Sequence, residues 1–519
     1  MTEFMKTHKV YLTPISPIHI GCGEDFEPTN YVIDEGVLYH FELSNLNLDK
    51  TKCQELLNKA NSMDLLAIQR FFLANKALAT TQSHYFADVS EGINQIYQQR
   101  IGKVAQRESN GKEVIAKLEI ERTAYQPYFG LPFIPASSVK GALMTVFLDQ
   151  KHQAKNNPKI RDPRKEAKKL TQEYIGEYQD SLGRYIKFGD FSPNENVQSK
   201  IYFAVNYKRK LDENGKPIIR ITSQREAIYS GQYRAFCSDL VVGKVGKDLK
   251  ERFRDISLTK TEIIRALNQF YLPIFKQELD KLIELGLVNL DWAESVLSLV
   301  SNCHIALIRL GKNGSDSKVY QGKGVAQIKI QKLNKNLERA TTYWLAANNK
   351  KSTAGLLPFG WALLEFDPAS ENETLKQWCD KQPKSTFNKQ VILQKQAELQ
   401  AEKEQQRLME LEKAREAEEQ AKQEQERLNS LSLNQKAVEE FIAKHERSEV
   451  KPFADSLVFR EIQVLINQAL AENWEKADRH YLFELSNPKE GILSLKVPNL
   501  KGSKKEKEFN KLRNKLVAE

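Results

Sequence analysis

Cysteine is scarce in this chain of 519 residues. The five present (Cys22, Cys53, Cys237, Cys303 and Cys379) lie far apart with no CxxC pair, which excludes a disulfide framework and a four-cysteine zinc site. Long apolar runs are missing as well. No stretch of about eighteen apolar residues exists to span a bilayer, and Met1 is followed by polar and charged residues rather than by a secretory signal. A cytoplasmic protein without membrane contact is expected. Neither HExxH nor GxSxG occurs, and the eight histidines are scattered. No convincing catalytic set emerges, no cofactor is expected, and the sequence names no metal ligands while leaving the presence of a metal open.

Positive charge is present in excess, 78 basic against 68 acidic residues, for a formal charge of +10. The excess is patchy. Residues 151–170 hold eight Lys or Arg against two acidic residues, and the last nineteen residues hold seven against three. Such runs suit a polyanionic partner, although a solvated surface is the plainer reading of either one alone.

Three regions separate along the chain: residues 1–384, a charged arm at 385–430 and a small module at 431–519. In the first, β-type runs alternate with amphipathic helices. KVYLTPI (residues 9–15) reads as a strand, and YVID with VLYHFEL flanks Glu35-Gly36 as a hairpin. Residues 48–78 carry helical periodicity. Residues 201–210 and 218–223 read as strands joined across Asn214-Gly215. Residues 261–286 read as a helix bent or divided at Pro273, and CHIALIRL and GWALLEF read as late buried strands. This pattern predicts an α+β fold with an RRM-like (ferredoxin-like) sheet and helical insertions. The arm is almost all Ala, Glu, Gln, Lys, Arg and Leu, strong helix formers with Glu and Lys/Arg three or four apart. It lacks the sustained apolar heptad of a coiled coil and is expected to be a solvent-exposed helix. The last module is mainly helical and suggests no chemistry.

IPASSVKGA (residues 134–142) holds helix-start residues in Pro135, Ser137 and Ser138, with Lys140 in the first turn. Unpaired amides, a positive dipole end and a lysine make a phosphate site, and a capped helix with a solvated lysine fits the same spacing. PIHIGCGEDFEPTNYVID (residues 17–34) places His19 before a Gly21-Cys22-Gly23 turn whose backbone can approach a ligand. It lacks the third glycine and the following helix of a dinucleotide fingerprint, and His19 reads more simply as a packed loop residue. IRLGKNGSDSKVY (residues 308–320) surrounds a flexible turn with Arg309, Lys312 and Lys318, without the GxxxxGK[ST] spacing of a nucleotide-hydrolysing loop. The 201–223 hairpin carries Lys208, Arg209, Lys210, Lys216 and Arg220 beside Tyr207. That interleaving suits single-stranded nucleic acid, and edge-strand lysines that block aggregation are the competing reading.

Taken together, IPASSVKGAL, PIHIGCGEDFEPTNYVID, and IRLGKNGSDSK followed by LPFGWALLEF resemble the RAMP superfamily of CRISPR proteins over roughly residues 8–366. Within it they look like the subunit that caps the type III-A (Csm) effector complex. The resemblance implies a non-catalytic, RNA-binding subunit of a ribonucleoprotein that holds the 3′ side of the guide RNA. It also implies contact with other RAMP subunits, and guide maturation supported through a host trimming nuclease. Ser137, Ser138, Lys140, Gly21 and Gly23 inherit guide contact by position, with His19 beside them, and Arg309, Lys312 and Lys318 follow less directly. The hairpin that carries Lys208, Arg209 and Lys210 is similar as a whole to the family's thumb, which wedges between guide and target bases, without a residue-by-residue match. Two departures matter: Ala136 stands where the family usually has glycine, and the arm and last module have no counterpart. A rival reading is an endoribonuclease cleaving CRISPR repeat RNA with His19 or His304 as acid or base. A third treats the arm and tail as a docking scaffold.

Overall fold

The computed structural model describes residues 4–518 apart from 108–112, 128–129, 178, 195–196, 247–250, 254–255, 301–303, 323–324, 326–327, 331–333 and 386. Cys303 therefore lies outside the described residues. The chain divides into two compact units, residues 1–399 and 400–519, with the division inside the long helix Lys389–Ser430.

Two sheets organise the first unit. The strand Met5–Pro14 lies inside a sheet of six strands among the described residues, between Phe236–Gly243 and Trp361–Phe366 and antiparallel to both. Ile305–Arg309 extends that sheet beyond Trp361–Phe366. Its five residues are all buried, as a continuous apolar run predicts for a strand covered on both faces. The helix Lys260–Glu284 provides part of the cover. Asn268 Nδ2 donates to the Ile305 carbonyl at 2.8 Å, and its Oδ1 accepts from the Leu307 amide at 2.8 Å. A free edge is thereby closed against pairing. This helix runs undivided through Pro273. Buried Phe270, Tyr271, Ile274 and Phe275 on either side hold it across the single missing amide.

The second sheet has nine strands among the described residues, built around the hairpin Ser199–Leu211 and Pro217–Ile228. Its turn forms as the Asn-Gly pair predicts: Gly215 takes φ +73, and Asp212 Oδ1 accepts the amides of Asn214 and Lys216 at 2.9 and 2.8 Å. Tyr85–Val89 runs parallel to one arm and Ile120–Thr123 to the other. Tyr31–Asp34 and Val37–His40 form the expected hairpin over Glu35 (φ +47) and Gly36 (φ +78).

Two local expectations change. Residues 48–78 form three helices, Lys50–Asn61, Leu65–Ala74 and Lys76–Thr81, rather than one. Met63 turns to φ +52, and Asp64 accepts the Ala67 amide at 2.9 Å, starting a new helix where periodicity alone continues the old one. Gly21-Cys22-Gly23 is not a turn. It opens the strand Gly21–Phe26, which pairs irregularly with Ile120–Thr123 and bulges between Gly21 and Asp25.

The fold is thus α+β with helical insertions and a helical C-terminal region. The second unit packs short helices around Val438, Ile462, Ile466, Leu482, Leu493 and Phe509. Ser432 and Gln435 start its helix Leu433–Glu446 with a reciprocal capping box. In the long helix Lys389–Ser430 only Gln396 is buried among the described residues, as its uniformly polar surface requires. No helix among the described residues is long and apolar enough to cross a membrane.

Candidate nucleic-acid interface

Three sequence-distant segments line one cavity of about 500 Å³. Ile20 and Gly21 form one wall. The helix Ala136–Ala154 contributes Ser137, Ser138, Gly141, Ala142 and Thr145, and the turn after Ile305–Arg309 contributes Arg309 to Lys312 with Ser317 and Lys318. Ser137, Gly141 and Thr145 recur every fourth residue and so share one face of the helix. Their small side chains leave the space open; a Cβ on Gly141 would meet nothing within 4 Å.

Close backbone contact clasps the segments together. Gly311 has φ +80, and a Cβ there would fall 2.1 Å from the His19 carbonyl oxygen. The Lys312 amide donates to that same oxygen at 3.2 Å. Behind it, Leu310 donates to the Gly360 carbonyl at 2.8 Å, and Gly360 donates to that of Pro17 at 2.8 Å. Only glycine meets both the backbone angle and the approach at Gly311.

The helix start is capped differently from the expectation. Pro135 holds the N-cap position without a side-chain bond, and the carboxylate of Asp190 accepts the Ala136 amide at 2.7 Å. An internal carboxylate therefore takes part of the seat that spacing alone offers to a phosphate. Ser137 and Ser138 face the cavity rather than cap the helix. Lys140 lies outside the cavity wall, its Nζ donating to the Gly183 carbonyl at 2.7 Å.

The charged groups divide into committed and accessible ones. Arg309 is 7% exposed and makes a bidentate pair with Glu278 at 3.0 and 3.1 Å. Its Nε donates to Phe359 at 3.1 Å, and Trp361 Nε1 donates to Glu278 at 2.7 Å. Its charge is thus satisfied inside the wall. Lys312 and Lys318 are exposed. Lys318 Nζ donates to the Gly311 carbonyl at 2.9 Å, and its ammonium is lowered by partial burial and then by Arg309. Lys312 Nζ donates to Glu121 Oε2 at 2.6 Å. Burial would raise the Glu121 carboxyl, but His19, Lys312 and Arg225 hold it well below the usual carboxylate range.

His19 lies beside Glu121, 2% exposed, with Nδ1 bonded to the Glu226 carbonyl at 2.7 Å and Nε2 3.5 Å from Glu121. The carbonyl fixes Nδ1 as a donor. Glu226 is itself held by the Thr123 amide at 3.0 Å, by Ser199 at 2.7 Å and by Tyr85. His304 does not line the cavity.

The hairpin cations and Gly23 also lie off the cavity wall. Gly23 is exposed at φ +88. Arg209 pairs with Asp316 and stacks on Tyr343 at 4.2 Å, tying the hairpin to the turn that carries Lys318. Lys208 is lowered by desolvation and then by Arg220 and Lys210, a cluster of like charge. Sequence reasoning missed Gly141, Thr145 and Tyr271, which line the cavity, and Glu121, which pairs with Lys312. The Gly141 and Thr145 spacing from Ser137 was the available signal; nothing local marks the other two.

A family model described as the RAMP superfamily matches residues 11–292, ending within the first unit. A relative named "CRISPR system Cms protein Csm5", from Streptococcus thermophilus, is 23% identical over 283 residues, 48% of this chain and 77% of its own length. Among solved structures, T. onnurineus Csm5 aligns with 16% identity and a TM-score of 0.42 over 69% of this chain and 99% of its own. A chain of a Csm–crRNA–target RNA ternary complex from a type III-A CRISPR-Cas system aligns with 17% identity and a TM-score of 0.44, over 69% and 100%.

Proposed function

Because this chain belongs to the RAMP superfamily, we propose that it is a non-catalytic, RNA-binding subunit of a type III-A CRISPR ribonucleoprotein. It caps the complex at the 3′ side of the guide RNA and supports guide maturation. The observation that carries this reading is the convergence of residues 20–21, 137–145 and 309–318 on one cavity with two exposed lysines. The relative named Csm5 supports the choice of subunit.

In this reading Lys312 and Lys318 take guide phosphates, while Ser137 and Ser138 donate hydroxyls to the same backbone. Gly21 and Gly141 keep the wall low enough for the strand to enter. Lys140 and Arg309 position the walls by holding Gly183 and Glu278. Lys208 and Lys210 extend the positive surface toward the rest of the guide or its target. Neighbouring RAMP subunits hold the remainder of the guide, and a host trimming nuclease acts on the 3′ end this subunit protects. No cleavage is assigned to His19, because its ring is enclosed and one nitrogen is engaged by a carbonyl.

Assembly of the effector with and without this subunit, followed by sequencing of guide 3′ ends, tests the proposal. Guides should lose a defined 3′ boundary when the subunit is absent, and also when Lys312 and Lys318 are both alanine. Cleavage of repeat RNA by the isolated protein, abolished by His19→Ala, would replace this reading with the nuclease one.

A further inference from the structure

The strand Val37–His40 pairs with Tyr85–Val89 so that His40 stands opposite Tyr85. The His84 amide donates to the His40 carbonyl at 3.1 Å. This register brings together two histidines that lie far apart in sequence, with ring centroids 5.0 Å apart in an edge-to-face contact. Glu42 follows two residues after His40 in extended backbone (φ −91, ψ 131), so its side chain leaves on the same side. One donor atom from each of His40, Glu42 and His84 lies within 4.8 Å of the other two.

His40 is 3% exposed, and its Nδ1 is buried without a hydrogen-bond partner. Buried polar side chains rarely remain unsatisfied, and an unplaced water or ion is one usual reason. Glu42 and His84 are exposed, which gives an ion access from solvent and leaves both side chains room to turn. Arg122 is the cation that opposes such an ion. Its guanidinium lies 3.3 Å from the Tyr125 ring centroid, 4.8 Å from that of Phe26, and 3.8 Å from the Glu24 carboxylate.

We propose that His40, Glu42 and His84 form a binding site for a divalent ion of the zinc class. Two imidazoles and one carboxylate suit zinc better than magnesium or calcium, which prefer all-oxygen sets. Zinc holds its ligands at about 2.0–2.2 Å, so the donors close up by rotation of the two exposed side chains. Three protein ligands leave a fourth tetrahedral position for water. The bound ion links the pair Val37–His40 and Tyr85–Val89 to the segment that follows Glu42, a site apart from the cavity and independent of its function.

The test uses full-length protein without a histidine tag, stripped with a chelator and titrated with zinc alone. Metal content is read by elemental analysis, affinity by calorimetry and stability by thermal unfolding. Wild type should retain one equivalent and gain Tm on zinc addition. His84→Ala and Glu42→Gln alter exposed side chains and leave the backbone pairing intact, so both should fold. Each should weaken zinc binding at least about tenfold, with the Tm gain lost in His84→Ala. No retained zinc in wild type, or unchanged affinity in both variants, would overturn the site.

Discussion

The Glu121 carboxylate accepts from Lys312 Nζ at 2.6 Å and stands 3.1 Å from Arg225 Nε and 3.5 Å from His19 Nε2. A carboxylate paired with a lysine of the proposed RNA site repels phosphate unless such neighbours balance it. Against the burial that raises its pKa, those neighbours hold it far below the ordinary 4.5. A depressed carboxyl adds stability that is complete above its unfolded value and is lost as pH falls through the folded value. Glu121→Gln should therefore lower Tm at pH 7, and its Tm should decline less steeply than that of wild type below about pH 4.5. Thermal unfolding across the acid range checks both. The Arg309–Glu278 pair gives a second residue-level prediction. Arg309→Met leaves the Glu278 carboxylate buried without a counter-ion, with Trp361 Nε1 its remaining donor, which should cost about 3–5 kcal/mol in urea unfolding. Adding Glu278→Leu should restore most of it, because the uncompensated charge goes too.

Among the elements, the turn at Leu310–Lys312 forms one side of the cavity. Gly311→Ala forces a side chain onto φ +80 and against the His19 carbonyl. It should cost more than about 1 kcal/mol of stability and weaken RNA binding by moving Lys312; urea unfolding and a binding titration read the two effects. The strands flanking this turn were legible in the sequence, since IALIR and WALLEF are short apolar runs and the hairpins over Glu35-Gly36 and Asn214-Gly215 carry their own turn residues. What escaped depended on distant partners. Gly21–Phe26 is a strand because Ile120–Thr123 lies beside it. The helix at Ala136 is capped by Asp190, and Lys140 is drawn to Gly183. Local spacing marked Ser137 and Ser138 as helix-start residues, and they lie in the first turn of the helix, but that they line an open face was settled by distant segments. His40 and His84 meet only through strand register, so no motif announced them.

At the scale of the molecule, the family match and the cavity both fall within residues 1–399, while residues 400–519 form a compact unit with its own core. Removing residues 400–519 should leave guide affinity within about threefold of wild type, since every residue that lines the cavity lies in the first unit and only substitutions without shared partners are additive. Any change in complex composition after that truncation would assign the second unit a docking role. The central claim is that the cavity grips RNA through its exposed lysines. It is tested most directly by measuring guide-RNA affinity against salt for wild type and for Lys312→Ala/Lys318→Ala. Each lost charge-assisted contact is worth about 1.5–3 kcal/mol, so the double variant should bind at least about a hundredfold more weakly. Its plot of log affinity against log salt should flatten by about 1.4, two phosphates at roughly 0.7 each. Equal affinity and equal slope in both proteins would contradict the account.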